Sequence, residues 1–168
     1  MTKIIKNTKQ LETAMDKIMR KALDGAAEDV ELLISQFLSL WYDDYLPIKY
    51  KRTYQFLHSC VRAKVIRHGS QYKTRVYIDY KNMHHVMDNV NGRNNVPLTK
   101  NQEYAIVHEA NKAIHGIKNG KHGIEGIKFW DDALDDMRQN EYIINSFYQY
   151  LKTMGFTATY VPDGGVMF

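Results

Sequence analysis

The sequence predicts a single α+β domain over residues 1–168. It has a long N-terminal helix, a central antiparallel β-hairpin sheet, a shorter middle helix, a long C-terminal helix and a short final strand. Three observations predict it. Residues 59–79 alternate with a period of two around His68-Gly69-Ser70, the pattern of a β-hairpin. Apolar residues recur at gaps of three and four over about thirty residues before that hairpin, the pattern of an amphipathic helix. A second such stripe follows from Phe129 to Met154.

Taken in order, Asn7 with Gln10, or Thr8 itself, can cap the first helix. Its stripe runs through Leu11, Met15, Ile18, Ala22, Ala26, Val30, Leu33, Phe37 and Trp41. Gly25 interrupts it, which predicts a bend or break, because Gly in a helix costs about 1 kcal/mol relative to Ala. Pro47 ends the helix. In the hairpin, Val61, Ala63 and Val65 point one way on the first strand and Arg62 and Lys64 the other. On the second strand Tyr72, Thr74, Val76 and Ile78 share a face, against Lys73, Arg75 and Tyr77. One face is apolar and covered; the other is cationic.

Residues 81–97 read as a long mobile surface loop, with Asn91-Gly92 as its turn signal. Thr99 with Gln102 matches a capping box for a helix whose Tyr104, Val107, Asn111 and Ile114 share a face. Four Gly in GIKNGKHGIEG make residues 116–128 a second mobile loop. In the C-terminal helix Asp131 and Asp132 suit the positive N-terminal end, Lys152 the C-terminal end, and Gly155 the left-handed stop. Residues 157–161 form the final strand.

Composition narrows the function. The chain has 168 residues, 44% of them hydrophobic and 12% aromatic, enough for one self-sufficient core. Its single Cys rules out an internal disulfide and fits a reducing compartment. No apolar run reaches the roughly 20 residues of a membrane span, and MTKIIKNTKQ lacks a signal-peptide core. The net charge of +4 is unevenly spread: −2 over residues 1–48, +10 over 49–128 and −4 over 129–168. A basic middle between acidic flanks suits either a polyanion or head-to-tail contact between copies, and the second is the stronger reading.

No catalytic, cofactor or metal site emerges. His108-Glu109 begins like a zinc-protease helix, but Lys112 stands where the second His is needed, and His115 is two turns away. His84 and His85 are adjacent in a polar loop and face different ways. The run from Gly116 to His122 is one residue short of a Walker loop and has His in place of Ser or Thr. Cys60 lies two residues from His58 without an orienting acid, and reads as a small core or edge residue. Asp131, Asp132, Asp135 and Asp136 read as a solvated helix face. The residues best suited to recognition are Tyr45, Lys49, Tyr50, Lys51, Arg52 and Tyr54 in the basic aromatic loop, with Arg62, Lys64, Lys73 and Arg75 on the hairpin. Tyr beside Lys and Arg serves protein hot spots as well as phosphates and bases.

The pattern Pro47-x5-Thr53-x3-Leu57-x-Ser59 follows a long amphipathic helix and precedes a charged hairpin. With Val76-Tyr77-Ile78 in the second strand and Phe129-Trp130-Asp131-Asp132-Ala133-Leu134 opening the last helix, it resembles the neck proteins of long-tailed bacteriophages. These are tail-completion or head–tail joining proteins, often described as minor capsid or minor tail components. Tyr54 stands where that family carries Gly, the Leu57–Ser59 spacing is one residue shorter, and the 84–128 region is longer. The resemblance implies a non-catalytic, ring-forming homo-oligomer in the virion, assembled in the host cytoplasm. Its partners would be connector and tail proteins around the DNA channel, with no membrane. The alternative is a basic nucleic-acid-binding accessory protein using Lys49, Lys51, Arg52, Arg62, Lys64, Lys73 and Arg75.

Overall fold

The structure, a computed structural model, describes residues 7–44, 54–87, 96–111, 114–115, 124–125 and 128–156. The α+β class holds. Helix α1 runs unbroken over Thr8–Asp44. Asn7 caps it, its Oδ1 accepting the Gln10 backbone N–H at 2.9 Å. The chain re-enters the described region at Tyr54 and makes strands β1 (Cys60–Arg62), β2 (Ile66–His68), β3 (Gln71–Lys73) and β4 (Val76–Ile78).

These four short strands are one hairpin with a fault in it. β2 pairs with β3 in the register His68↔Gln71, and Gly69 takes the left-handed φ of 63° that the tight turn requires. β1 pairs with β4 in the register Arg62↔Val76. Between the two ladders, residues 63–65 of the first strand stand opposite only 74–75 of the second. That extra residue is a β-bulge. It is held by the Ala63 N–H to the Arg75 carbonyl (2.8 Å) and the Thr74 hydroxyl to the Ala63 carbonyl (2.7 Å).

The bulge corrects the predicted sidedness. The second strand keeps its strict alternation: Tyr72, Thr74, Val76 and Ile78 are half-buried, while Lys73, Arg75 and Tyr77 are exposed. The first strand changes parity. Cys60 and Arg62 lie opposite Ile78 and Val76, on the covered face. Beyond the bulge, Arg67 lies opposite Tyr72 and so joins that face too. The expected apolar row of Val61, Ala63 and Val65 does not form.

A 3₁₀ turn (Tyr80–Asn82) and a two-residue ladder of β5 (Val86–Met87) on β6 (Val96–Pro97) fall within or at the edge of the expected 81–97 loop. Helix α2 spans Lys100–Ala110, with its capping box formed: the Gln102 Oε1 accepts the Thr99 N–H at 2.8 Å. Its inward residues are Glu103, Val107 and Ala110, and Tyr104 is 53% exposed, so the expected face is turned by one position. Ile114, expected on the face of this helix, lies instead in β7 (Ile114–His115), which pairs with β8 (Ile124–Glu125) inside the stretch read as a loop.

The expected single C-terminal helix is two: α3 (Phe129–Gln139) and α4 (Tyr142–Thr153). Glu141 adopts a left-handed φ of 48°, and the Asn140 side chain bonds back to Asp136, closing α3. The break lets each half bury its own stripe. α3 turns Phe129, Ala133 and Met137 into the core, and α4 lies along α1. Gly155 (φ 86°) stops α4, with the Phe156 N–H returning to the Leu151 carbonyl at 3.0 Å. The predicted strand at 157–161 lies outside the described residues.

The core centres on an aromatic chain. Trp41 meets Phe56, and Phe56 meets Phe129, both edge-on with centroids 5.5 Å apart. Leu33, Ile34, Leu38, Cys60, Met83, Ala110 and Met137 pack around it. Two distant polar residues stitch elements to this core. The buried Glu103 carboxylate accepts the His85 backbone N–H and faces its Nδ1, each at 2.6 Å. The Asn111 Oδ1 accepts the N–H groups of Trp130 (3.1 Å) and Asp131 (3.3 Å), capping α3 from α2.

Gly25 does not bend α1. It sits beneath the ring of Tyr150 on α4, so close that a Cβ would fall inside 3.0 Å of three ring atoms. One turn on, Asp29 accepts the hydroxyls of Ser146 and, at 3.4 Å, Tyr150. Glycine is there for close helix approach. Gly25→Ala would ordinarily gain about 1 kcal/mol of helix propensity, but forcing the ring aside costs about 1–3 kcal/mol. The expected result is a lower urea midpoint for Gly25→Ala in the natural chain and a higher one when Tyr150 is Ala. A stabilising Gly25→Ala with Tyr150 intact contradicts this packing.

Candidate interaction surface

Two faces of the hairpin divide the labour. Its inner face is clasped electrostatically to α1. Glu12, Asp16, Arg20, Asp24 and Glu28 recur every four residues on that helix, with Glu31 next, and form one polar stripe. Arg62 meets its C-terminal half: Glu31 at 2.7 Å, Asp24 at 3.7 Å and Glu28 at 3.8 Å. Arg67 meets its N-terminal half: Glu12 at 3.0 Å and Asp16 at 3.4 Å. Between them Arg20 bonds Asp16 at 2.8 Å and reaches the Val65 carbonyl at 2.9 Å, inside the bulge. The Tyr72 hydroxyl donates to Asp16 at 2.9 Å, and its ring lies under both Arg20 and Arg67.

Asp16 is the hub. The hydrogen bond from Arg20, then that from Tyr72, hold its carboxyl below the usual value of 3.8. Cys60, by contrast, is a buried core thiol. Burial, with the nearby Glu31 charge, pushes it up to about 12, far from a nucleophile's range. His58 is exposed in a turn and shares no face with it.

The outer face carries Ile66 (59% exposed), Lys73, Arg75 and Tyr77, with Lys64 at the bulge also exposed. The Arg75 guanidinium lies 5.4 Å from the Tyr77 ring centre. Among the described residues no carboxylate pairs with Lys64, Lys73 or Arg75. Beside Tyr77, a groove of about 440 Å³ opens between β4, α2 and α3, lined by Tyr104, His108 and Trp130 among others.

Of the ten residues expected to make contacts, Lys64, Lys73 and Arg75 come together on this face. Arg62 does not: the bulge turns it onto α1, where it pairs with Glu31 while half-buried. Tyr54 is exposed, at φ 57°, in the left-handed region that bulky residues seldom adopt. Tyr45, Lys49, Tyr50, Lys51 and Arg52 lie outside the described residues. Sequence reasoning missed Asp16, Arg20 and Arg67, although the four-residue period of charge on α1 was there to be read. No group of three or more potential metal ligands exists among the described residues, and no described helix is long and apolar enough to cross a membrane.

The chain belongs to the YomN family, a phage-related family whose model matches residues 6–153. The match runs from just before α1 to the last residue of α4. No curated protein and no solved structure matches the chain.

A folded-state carboxyl held below its unfolded value contributes stability that is complete above the unfolded value and disappears as pH falls through the folded one. Acidification below about pH 4 should therefore loosen the hairpin tip from α1. Protection factors for amide exchange at residues 66–73 should fall there, and Asp16→Asn should show low protection already at neutral pH. Equal protection at pH 3 and pH 7 would contradict the role given to Asp16.

Proposed function

We propose that this protein is a structural virion component that joins the head connector to the tail, a neck or tail-completion protein. It acts through oligomeric protein–protein contacts around the DNA channel and performs no chemistry. The phage-related family supports the setting. The observation that carries the finer reading is the backbone of Tyr54. The neck-protein loop has Gly at this position, and here Tyr54 holds φ 57°, the conformation for which Gly is used. This backbone conformation supports reading the loop pattern as a structural likeness. A strained turn of this kind persists where the surroundings fix it, as they do when a loop positions contact residues.

The partners on this reading are further copies of the chain, forming a ring, and the connector and tail proteins on either side. The protein works in the virion and is assembled there from the host cytoplasm. The exposed Arg75 and Tyr77 on the hairpin are of the residue types enriched in protein contacts. The second reading, a nucleic-acid-binding accessory protein, rests on the same outward Lys64, Lys73 and Arg75. It is weakened by the loss of Arg62 to α1, which removes one cation from the patch.

Light scattering on the purified protein, with connector and tail proteins added, tests the first reading. The expected result is a ring-sized oligomer, or a stoichiometric complex that electron microscopy places between head and tail. A monomer that joins neither partner contradicts it. For the second reading, DNA affinity should fall steeply with salt; a flat salt dependence eliminates it.

A further inference from the structure

We propose that the outer face of the hairpin docks on the acidic face of α3 of a second copy of this chain. This inference rests on the ring reading above and names the contact that would build the ring.

Charge and spacing both point to it. Lys73, Arg75 and Tyr77 alternate outward along the second strand, with Lys64 beside them. Charged groups two residues apart on a strand are roughly 6.6 Å apart. The helix FWDDALDDMRQ carries four Asp and one Arg, and Asp131 and Asp135 are one turn apart, roughly 6 Å. Both are exposed, so the two rows are opposite in sign and similar in pitch.

Among the described residues no carboxylate pairs with the hairpin row, and Arg138 is the one cation that pairs with the acidic row. The described partners of Asp131 and Asp136 are the amides of Asn111 and Asn140, at 3.1 and 2.9 Å. Arg138 reaches Asp135 at 2.9 Å, with both side chains more than 60% exposed. The hairpin cations that do pair within the subunit, Arg62 and Arg67, have been turned onto α1 by the bulge. The hairpin's remaining positive charge therefore points outward by construction, and the Tyr77 ring beside Arg75 supplies an apolar anchor at its centre.

The two patches are different surfaces. A contact between unlike patches is heterologous, so it propagates head to tail and closes into a ring when the rotation allows. A like-on-like dimer through the hairpin would set cation against cation.

The test is charge reversal in the full chain, with circular dichroism confirming the fold. Lys73→Glu with Arg75→Glu should raise the subunit dissociation constant at least tenfold, and Asp131→Lys with Asp135→Lys should do the same. Mixing the two variants should restore assembly, because each then presents what the other lacks. If the lysine pair unfolds α3, Asp131→Asn with Asp135→Asn keeps the test intact, with a smaller loss expected. Oligomers that survive both reversals overturn this contact while leaving the joining role standing. A natural chain that stays monomeric with and without connector and tail proteins overturns both. Loss of DNA retention on reversing the hairpin, with assembly unchanged, assigns the face to nucleic acid instead.

Discussion

One extra residue decides the electrical layout of this molecule. Without the bulge at residues 63–65, Arg62 and Arg67 would lie on opposite faces of the hairpin, since an odd separation on a regular strand changes sides. With it, both face α1. There a carboxylate stripe with a four-residue period receives them, Arg62 toward the C-terminal half and Arg67 toward the N-terminal half. Arg20 completes the arrangement by reaching the carbonyl of Val65 in the bulge itself. Exposed ion pairs are worth little singly, about 0–1 kcal/mol, but a network with shared partners constrains geometry as well as energy. Here it fixes the pitch of the hairpin on the helix.

The same economy appears where the helices meet. α1 presents small residues, Ala22, Gly25 and Ala26, where neighbours come close, and large ones, Leu33, Ile34, Leu38 and Trp41, where the aromatic core needs filling. Buried or half-buried polar residues then set register: Asp29 for α4, Asn111 for α3 and Glu103 for the segment around His85. Each satisfies groups on another element, so sliding either element would leave a polar atom without its partner. The result is a rigid platform. Its outward hairpin face carries charge that the fold leaves unneutralised among the described residues.

Local signals in the sequence were reliable where the chemistry is local. The caps at Asn7 and Thr99, the hairpin turn at Gly69, the stop at Gly155 and the core placement of Cys60 all follow from residue type and short spacing. What escaped needed three dimensions. A bulge has no residue signature in RAKVIRHG, and only the mismatch of two ladders reveals it. The α3–α4 break lies in a continuous apolar stripe, and nothing but the Asn140-Glu141 pair hints at it. Gly25 looked like a flaw in α1 because its reason, the ring of Tyr150, lies 125 residues away in sequence. His85 reads as part of a polar loop, yet it is buried in a pair with Glu103. Lys64, Lys73 and Arg75 face outward as the strand pattern predicts, while Arg62 faces α1 because the bulge breaks the regular alternation.

The division of the hairpin into a clasped inner face and a free outer one turns on Arg62 belonging to α1. A double-mutant cycle between Arg62→Met and Glu31→Gln, read by urea unfolding, measures that directly. The account predicts a coupling of about 1 kcal/mol that shrinks with added salt. Additive effects with no coupling at low salt would mean that Arg62 does not depend on α1, and the assignment of the two faces would fall with it.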